Sequence, residues 1–175
     1  MTSLVDFLEA IRGFLDTGGD VLLVIGVIIF VMWLLILERI MFAFNGYKSY
    51  EKQVLNQWQS RDERNSWNAQ MIREAMISRA SGKLNQNLAL INTLVALCPL
   101  LGLMGTVTGM IEVFDVMAIT GTGSARSMAS GVSKATIPTM AGMVGALSGV
   151  FASTWLQRRA KSETEMLEDH LTLDH

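Results

Sequence analysis

The side chains able to do chemistry in this chain are few, and the most telling are hydroxyls in apolar surroundings. Thr106 lies in CPLLGLMGTVTGMI, residues 98–111, and Thr136 and Thr139 lie in ATIPTMAGMVGALSG, residues 135–149. A threonine in a membrane helix often bonds a carbonyl of its own helix. Flanked by Gly and Pro, it can instead line a polar path, because small residues let helices approach and proline frees a backbone carbonyl. Thr106 is six residues before Glu112 and Thr139 five after Lys134. By helical rise each hydroxyl falls roughly 8 to 9 Å below its own charged end. In antiparallel spans the two would sit level, with Thr136 one turn nearer the surface. Asn85 and Asn92 are seven apart and on a continuous helix would share a face near the other end.

An absence carries as much weight as these hydroxyls. No Asp, Glu, His, Lys or Arg occurs in 21–37, 84–111 or 135–157. Proton relays through membranes use ionisable side chains. If this chain moves protons, the titrating group comes from another chain.

The elements that would hold these residues read as membrane helices. Half the residues are hydrophobic and 17% are charged, against about 25% in a typical soluble protein. Residues 1–20 read as a short amphipathic helix, with Leu4, Leu8, Ile11 and Leu15 opposite Asp6, Glu9 and Arg12, ended by Gly18 and Gly19. The start lacks the basic residues of a cleavable signal peptide, so insertion would rely on an internal span. Spans are expected at 21–41, 84–111 and 135–157. Residues 42–83 read as a helical hairpin in water, with Tyr47, Tyr50, Val54 and Trp58 as a packing stripe and Ser66 capping its second helix. Residues 112–134 read as a connector whose centre, TGTGSARSMASG, is a small-residue loop, and 158–175 as a helix continuing beyond the membrane.

Lysines and arginines set the orientation. Eight lie in 38–83, three follow the third span at once, one precedes the first span and two lie in 112–134. The hairpin and the carboxyl terminus are therefore expected in the cytoplasm, the amino terminus and the connector outside.

Gly105 with Gly109 and Gly145 with Gly149 form GxxxG faces, extended by Gly102 and Gly142. Such faces pack helices within a subunit or between subunits. The net charge of -2 argues against a nucleic-acid partner. Cys98 is the one cysteine and reads as a buried thiol. His170 and His175 stand alone in a polar tail, and neither metal spacing nor a nucleophile–base pair is present. No metal, cofactor or enzymatic activity is expected.

GLMGTVTGMIEVF, residues 102–114, resembles the signature of the MotA/TolQ/ExbB proton-channel family, and GVSKATIPTMAGMVGALSG, residues 131–149, resembles the third helix of its ExbB and TolQ branch. With the three-span layout, the resemblance covers nearly the whole chain and is nearest to compact ExbB-type subunits of TonB systems. It implies an all-α polytopic protein of the Gram-negative inner membrane, with long second and third helices reaching into the cytoplasm. It implies a pentamer enclosing single-span helices of an ExbD-like partner, whose membrane aspartate carries protons to drive a TonB-like protein and the uptake of iron complexes or vitamin B12. The family's pore threonines match Thr106 and Thr139. Many relatives have a glutamate at the position of Lys134, so this chain reverses a charge at the outward mouth, where Lys134 could pair with Glu112, with Asp115 or with an acid on the partner. A TolQ-like role in envelope maintenance and a passive scaffold assembled through the glycine faces are the alternatives.

Overall fold

The computed structural model describes residues 2–61, 63, 66–121 and 125–171; of residues 2–4, 6–8, 10, 11, 14–18, 120 and 127 only the backbone is described. Among these the fold is all-α, with no strand. The order is α1 Thr2–Met41, a π-helical turn Phe42–Gly46, α2 Tyr47–Gln59, α3 Trp67–Asn85, α4 Leu88–Thr120 and α5 Ala125–His170. Three helical stretches, Gly19–Gln59, Trp67–Ile119 and Met128–His170, are long and apolar enough to cross a membrane. The chain is a multi-pass membrane protein.

Residues group into two compact units. One comprises Met1–Trp33 with Thr93–Val150, the other Leu34–Asn92 with Phe151–His175.

In the first unit α1 is bent at Gly19, whose φ of 67° and ψ of -168° leave the helical region. An L side chain there would be strained, so the glycine separates the amino-terminal turns from the apolar stretch behind them. Glu9 and Arg12 are exposed. The apolar positions expected to oppose them, Leu4, Leu8, Ile11 and Leu15, have side chains outside the described residues. α4 and α5 run antiparallel. Much of the stretch expected as a loop is helical: α4 continues to Thr120, and α5 begins at Ala125. Glycine and serine are poor helix formers, but at Gly131 any side chain would collide with Val113, so this turn is fixed by packing rather than propensity.

The second unit holds the hairpin and the end of α5. Tyr47, Val54 and Trp58 are buried, and Val54 and Trp58 share a core with Ala69, Ala80, Leu167 and Leu171. The helical stripe is thus packing. The Ser66 hydroxyl accepts the Ala69 N–H at 3.2 Å and starts α3. Arg73 holds the end of α5: its Nε donates to the Leu171 carbonyl at 2.6 Å and an Nη to that of Glu168 at 2.9 Å. Those carbonyls have no partner within their own helix.

One expectation needs correcting here. The second apolar run is not a single helix from residue 84. α3 ends at Asn85, Gln86 has ψ 137°, and Asn87 takes φ 64° before α4 starts at Leu88. Asparagine tolerates the left-handed region better than most residues and competes for backbone hydrogen bonds. The break resets the helical phase, so Asn85 and Asn92 do not share a face by their spacing of seven.

Candidate functional site

In the first unit the glycines of α4 lie against α5. A Cβ at Gly102 would stand 2.9 Å from Thr139 Cα, at Gly105 2.5 Å from Pro138 Cβ, and at Gly109 2.7 Å from Ala135 Cβ. Gly142 abuts the Cys98 carbonyl, Gly145 the Ile29 side chain, and Gly149 the side chains of Val95 and Met32. All six glycines therefore face atoms of their own chain, and the close approach they allow brings backbone and hydroxyl groups together.

Of the three hydroxyls, that of Thr139 crosses this seam. Thr139 Oγ1 donates across the interface to the Gly102 carbonyl at 2.8 Å. Thr106 Oγ1 donates to Leu103 O at 2.6 Å, and Thr136 Oγ1 to Ser133 O at 3.0 Å, both within their own helices. A hydroxyl has one proton and two lone pairs. In each of these threonines the proton is committed to a backbone carbonyl, and the lone pairs are what is left to offer. Pro138 has no N–H, so the Lys134 carbonyl one turn earlier lacks its usual helical donor.

The Thr139 and Thr106 hydroxyls bond the carbonyls of consecutive α4 residues, Gly102 and Leu103, so they lie within about one residue's helical rise, ~1.5 Å, of the same depth. Toward the charged end, Gly109 meets Ala135 and Gly131 meets Val113, which brings Glu112 and Lys134 within reach of each other.

That ion pair is present: Lys134 Nζ is 3.8 Å from Glu112 Oε2, with side chains 47% and 68% exposed. An exposed pair of this kind contributes at most about 1 kcal/mol. Its importance is positional, because both residues line two neighbouring clefts. One, of about 200 Å³, is bounded by Gly19, Asp20, Val21, Gly105, Thr108 and Gly109. The other, of about 230 Å³, is bounded by Val113, Val116, Met117, Met128, Ser130 and Gly131. The first cleft reaches from the charged end down to the glycine seam. Asp20 belongs to it and was not singled out from sequence. Its signal was its position directly after the helix-breaking Gly19, at the same end as Glu112 and Lys134.

Asn85 and Asn92 are not in this group. Asn85 Nδ2 donates to Ser81 O at 2.9 Å and to its Oγ at 3.2 Å, closing the last turn of α3, and Asn92 is exposed on α4. Among the described residues no three His, Cys, Asp or Glu side chains come together to hold a metal ion. His170 Nδ1 is 3.5 Å from Glu51, and His175 lies outside the described residues.

Comparison with known proteins follows the same lines. Residues 43–169 match the MotA/TolQ/ExbB proton channel family. Over 77 residues, 42% of this chain, the sequence is 43% identical to a biopolymer transport protein of Synechocystis sp. named ExbB-like 1. That match spans 30% of the relative's length. The chain belongs to the MotA/TolQ/ExbB proton channel family.

Proposed function

From that membership, we propose that the chain is the uncharged wall subunit of a proton channel of the ExbB type, in an inner-membrane motor that energises outer-membrane transport. The observation that carries this reading is the pairing of a polar seam with a missing acid. Spans 21–37, 84–111 and 135–157 contain no ionisable residue. Yet Thr106, Thr136 and Thr139 place hydroxyl oxygens along two of them, and Thr139 bonds across the glycine seam between these helices. Such a wall can pass a proton to and from a carboxyl group but cannot titrate itself.

The carboxyl group is then an aspartate on the single membrane helix of an ExbD-like partner, enclosed by a homo-oligomer, with a pentamer expected. A TonB-like protein takes up the motion, and the cargo is an iron complex or vitamin B12. In this orientation the Lys134–Glu112 mouth and the amino terminus face the periplasm, and the hairpin and carboxyl terminus face the cytoplasm. The likeness to the ExbB-like protein of Synechocystis supports the ExbB branch over TolQ. Assembly as a passive scaffold through the GxxxG faces is less well supported, because those glycines already meet residues of their own chain.

Thr106→Val and Thr139→Val together test the channel reading. The double variant is expected to assemble with its partner and to lose TonB-dependent uptake. Full uptake by an assembled double variant would favour the scaffold.

A further inference from the structure

Arg39 is a buried charge that the channel reading does not use. It stands in the second unit at the end of the first apolar stretch and is 5% exposed. One Nη donates to the Lys83 carbonyl at 3.0 Å, the other is 3.6 Å from Glu38, and the guanidinium lies 5.2 Å over the Phe42 ring. Its Nε is buried without a hydrogen-bond partner. Arg159, in the same unit, repeats the arrangement. One Nη is 3.3 Å from Glu163, the guanidinium lies 4.6 Å over Phe44, and its buried Nε is also unpartnered.

Both arginines line one cavity, walled by Phe42, Ala43, Leu84 and Leu156. The π-helical turn at Phe42–Gly46 forms part of that wall, and single π turns recur at functional sites. A buried donor without an acceptor is costly, and more so on a charged group. Two of them at one apolar cavity define what would satisfy the site: an anionic oxygen. The enclosed space is only about 10 Å³, so it admits little more than a single atom, and the ligand's body must remain outside. Outside, the surface is apolar. Phe44 and Trp155 beside Arg159 are 47% and 43% exposed, and Leu37 and Met41 on the helix of Arg39 are 54% and 63% exposed. Arg158 and Lys161 follow at the same end of the third span and add positive charge.

We propose that the cavity between Arg39 and Arg159 receives one oxygen of a phosphate group, carried either by the headgroup of an anionic phospholipid or by a soluble phosphate. The guanidinium N–H groups donate to that oxygen, and for a lipid the acyl chains run along the exposed Leu37 and Met41. Charge-assisted bonds of this kind are the strong class, and basic pockets between membrane helices are a recurring way to hold anionic headgroups.

The test uses the full chain purified from membranes. Native mass spectrometry titrates it with phosphatidylglycerol and, separately, with phosphatidylcholine, and a thermal-shift assay follows added inorganic phosphate. Wild type should retain phosphatidylglycerol in preference to phosphatidylcholine. Arg159→Gln should lose roughly tenfold in that affinity, the scale of one charge-assisted hydrogen bond. Arg158→Gln, next in sequence but outside the cavity, should retain it. Arg159→Lys keeps the charge without the inward donor and should lose like Arg159→Gln, which keeps the test valid if the glutamine variant fails to fold. A phosphate-dependent rise in Tm for wild type but not for the Arg159 variants, without a lipid preference, would support the phosphate site and assign it to a soluble ligand. Equal losses in the Arg158 and Arg159 variants would overturn the proposal, as would no response to either lipid or phosphate.

Discussion

At the scale of residues, the two threonines matched to the family's motif do different structural work. Thr139 ties α5 to α4 through the Gly102 carbonyl, whereas Thr106 bonds only within its own helix. Thr139→Val should therefore lower stability by about 1 kcal/mol, the net worth of one such bond. Thr106→Val should change stability less while still removing a hydroxyl from the proposed channel wall. Thermal unfolding in detergent, read beside an uptake assay, separates the two effects. The glycines divide in the same way. Gly142 faces the Cys98 carbonyl with no room for a methyl group, so Gly142→Ala should cost about 1–3 kcal/mol from overpacking. Gly82 has open space in α3, and Gly82→Ala should stabilise by about 0.4–1 kcal/mol. The existence of the glycine seam was legible in the spacing of small residues. Which partner each glycine meets was not, because a helix face can be read from period alone and its register against another helix cannot. Asp20 escaped notice because it falls just outside an apolar run, although in the fold it shares a cleft with Glu112 and Lys134.

At the scale of elements, the boundaries follow from a handful of local choices. Ser66 caps α3, and Ser66→Ala should cost about 1 kcal/mol. Asn87 is left-handed at the break between α3 and α4. Asn87→Gly should be tolerated, and Asn87→Ala should lose about 1 kcal/mol, because alanine lacks the short polar side chain whose local hydrogen bonding lets asparagine adopt that region. Circular dichroism during thermal unfolding checks both. Arg73 closes the far end of α5, so Arg73→Gln should speed hydrogen exchange in the last turns before Leu171 while leaving the membrane-spanning segments protected. The Ser66 cap could be read directly, because a serine at that position needs only its neighbours. The break at residues 86 and 87 could not. The run from Leu84 is uncharged throughout, and hydropathy does not distinguish a helix from a helix with one residue turned out of it. The helical ends of α4 and α5 were also hidden, since a Gly- and Ser-rich sequence reads as loop until Val113 is found packed on Gly131.

At the scale of the whole molecule, three apolar stretches free of ionisable groups define what the chain can contribute. It can shape a path, desolvate it and supply oxygen acceptors, but it cannot carry the titrating charge. This much is legible in composition and spacing, because it depends only on which residue types are missing from the spans. The partner and its stoichiometry lie beyond one chain's sequence, since the faces that would meet them are apolar surfaces without a distinctive code. The most direct measurement is proton flux into liposomes containing this subunit, with and without a single-span partner carrying a membrane aspartate. The account predicts tight vesicles with the subunit alone, flux with the partner, and loss of that flux on Asp→Asn substitution in the partner's helix. Equal flux from the subunit alone, or flux that survives removal of the partner's acid, would contradict it.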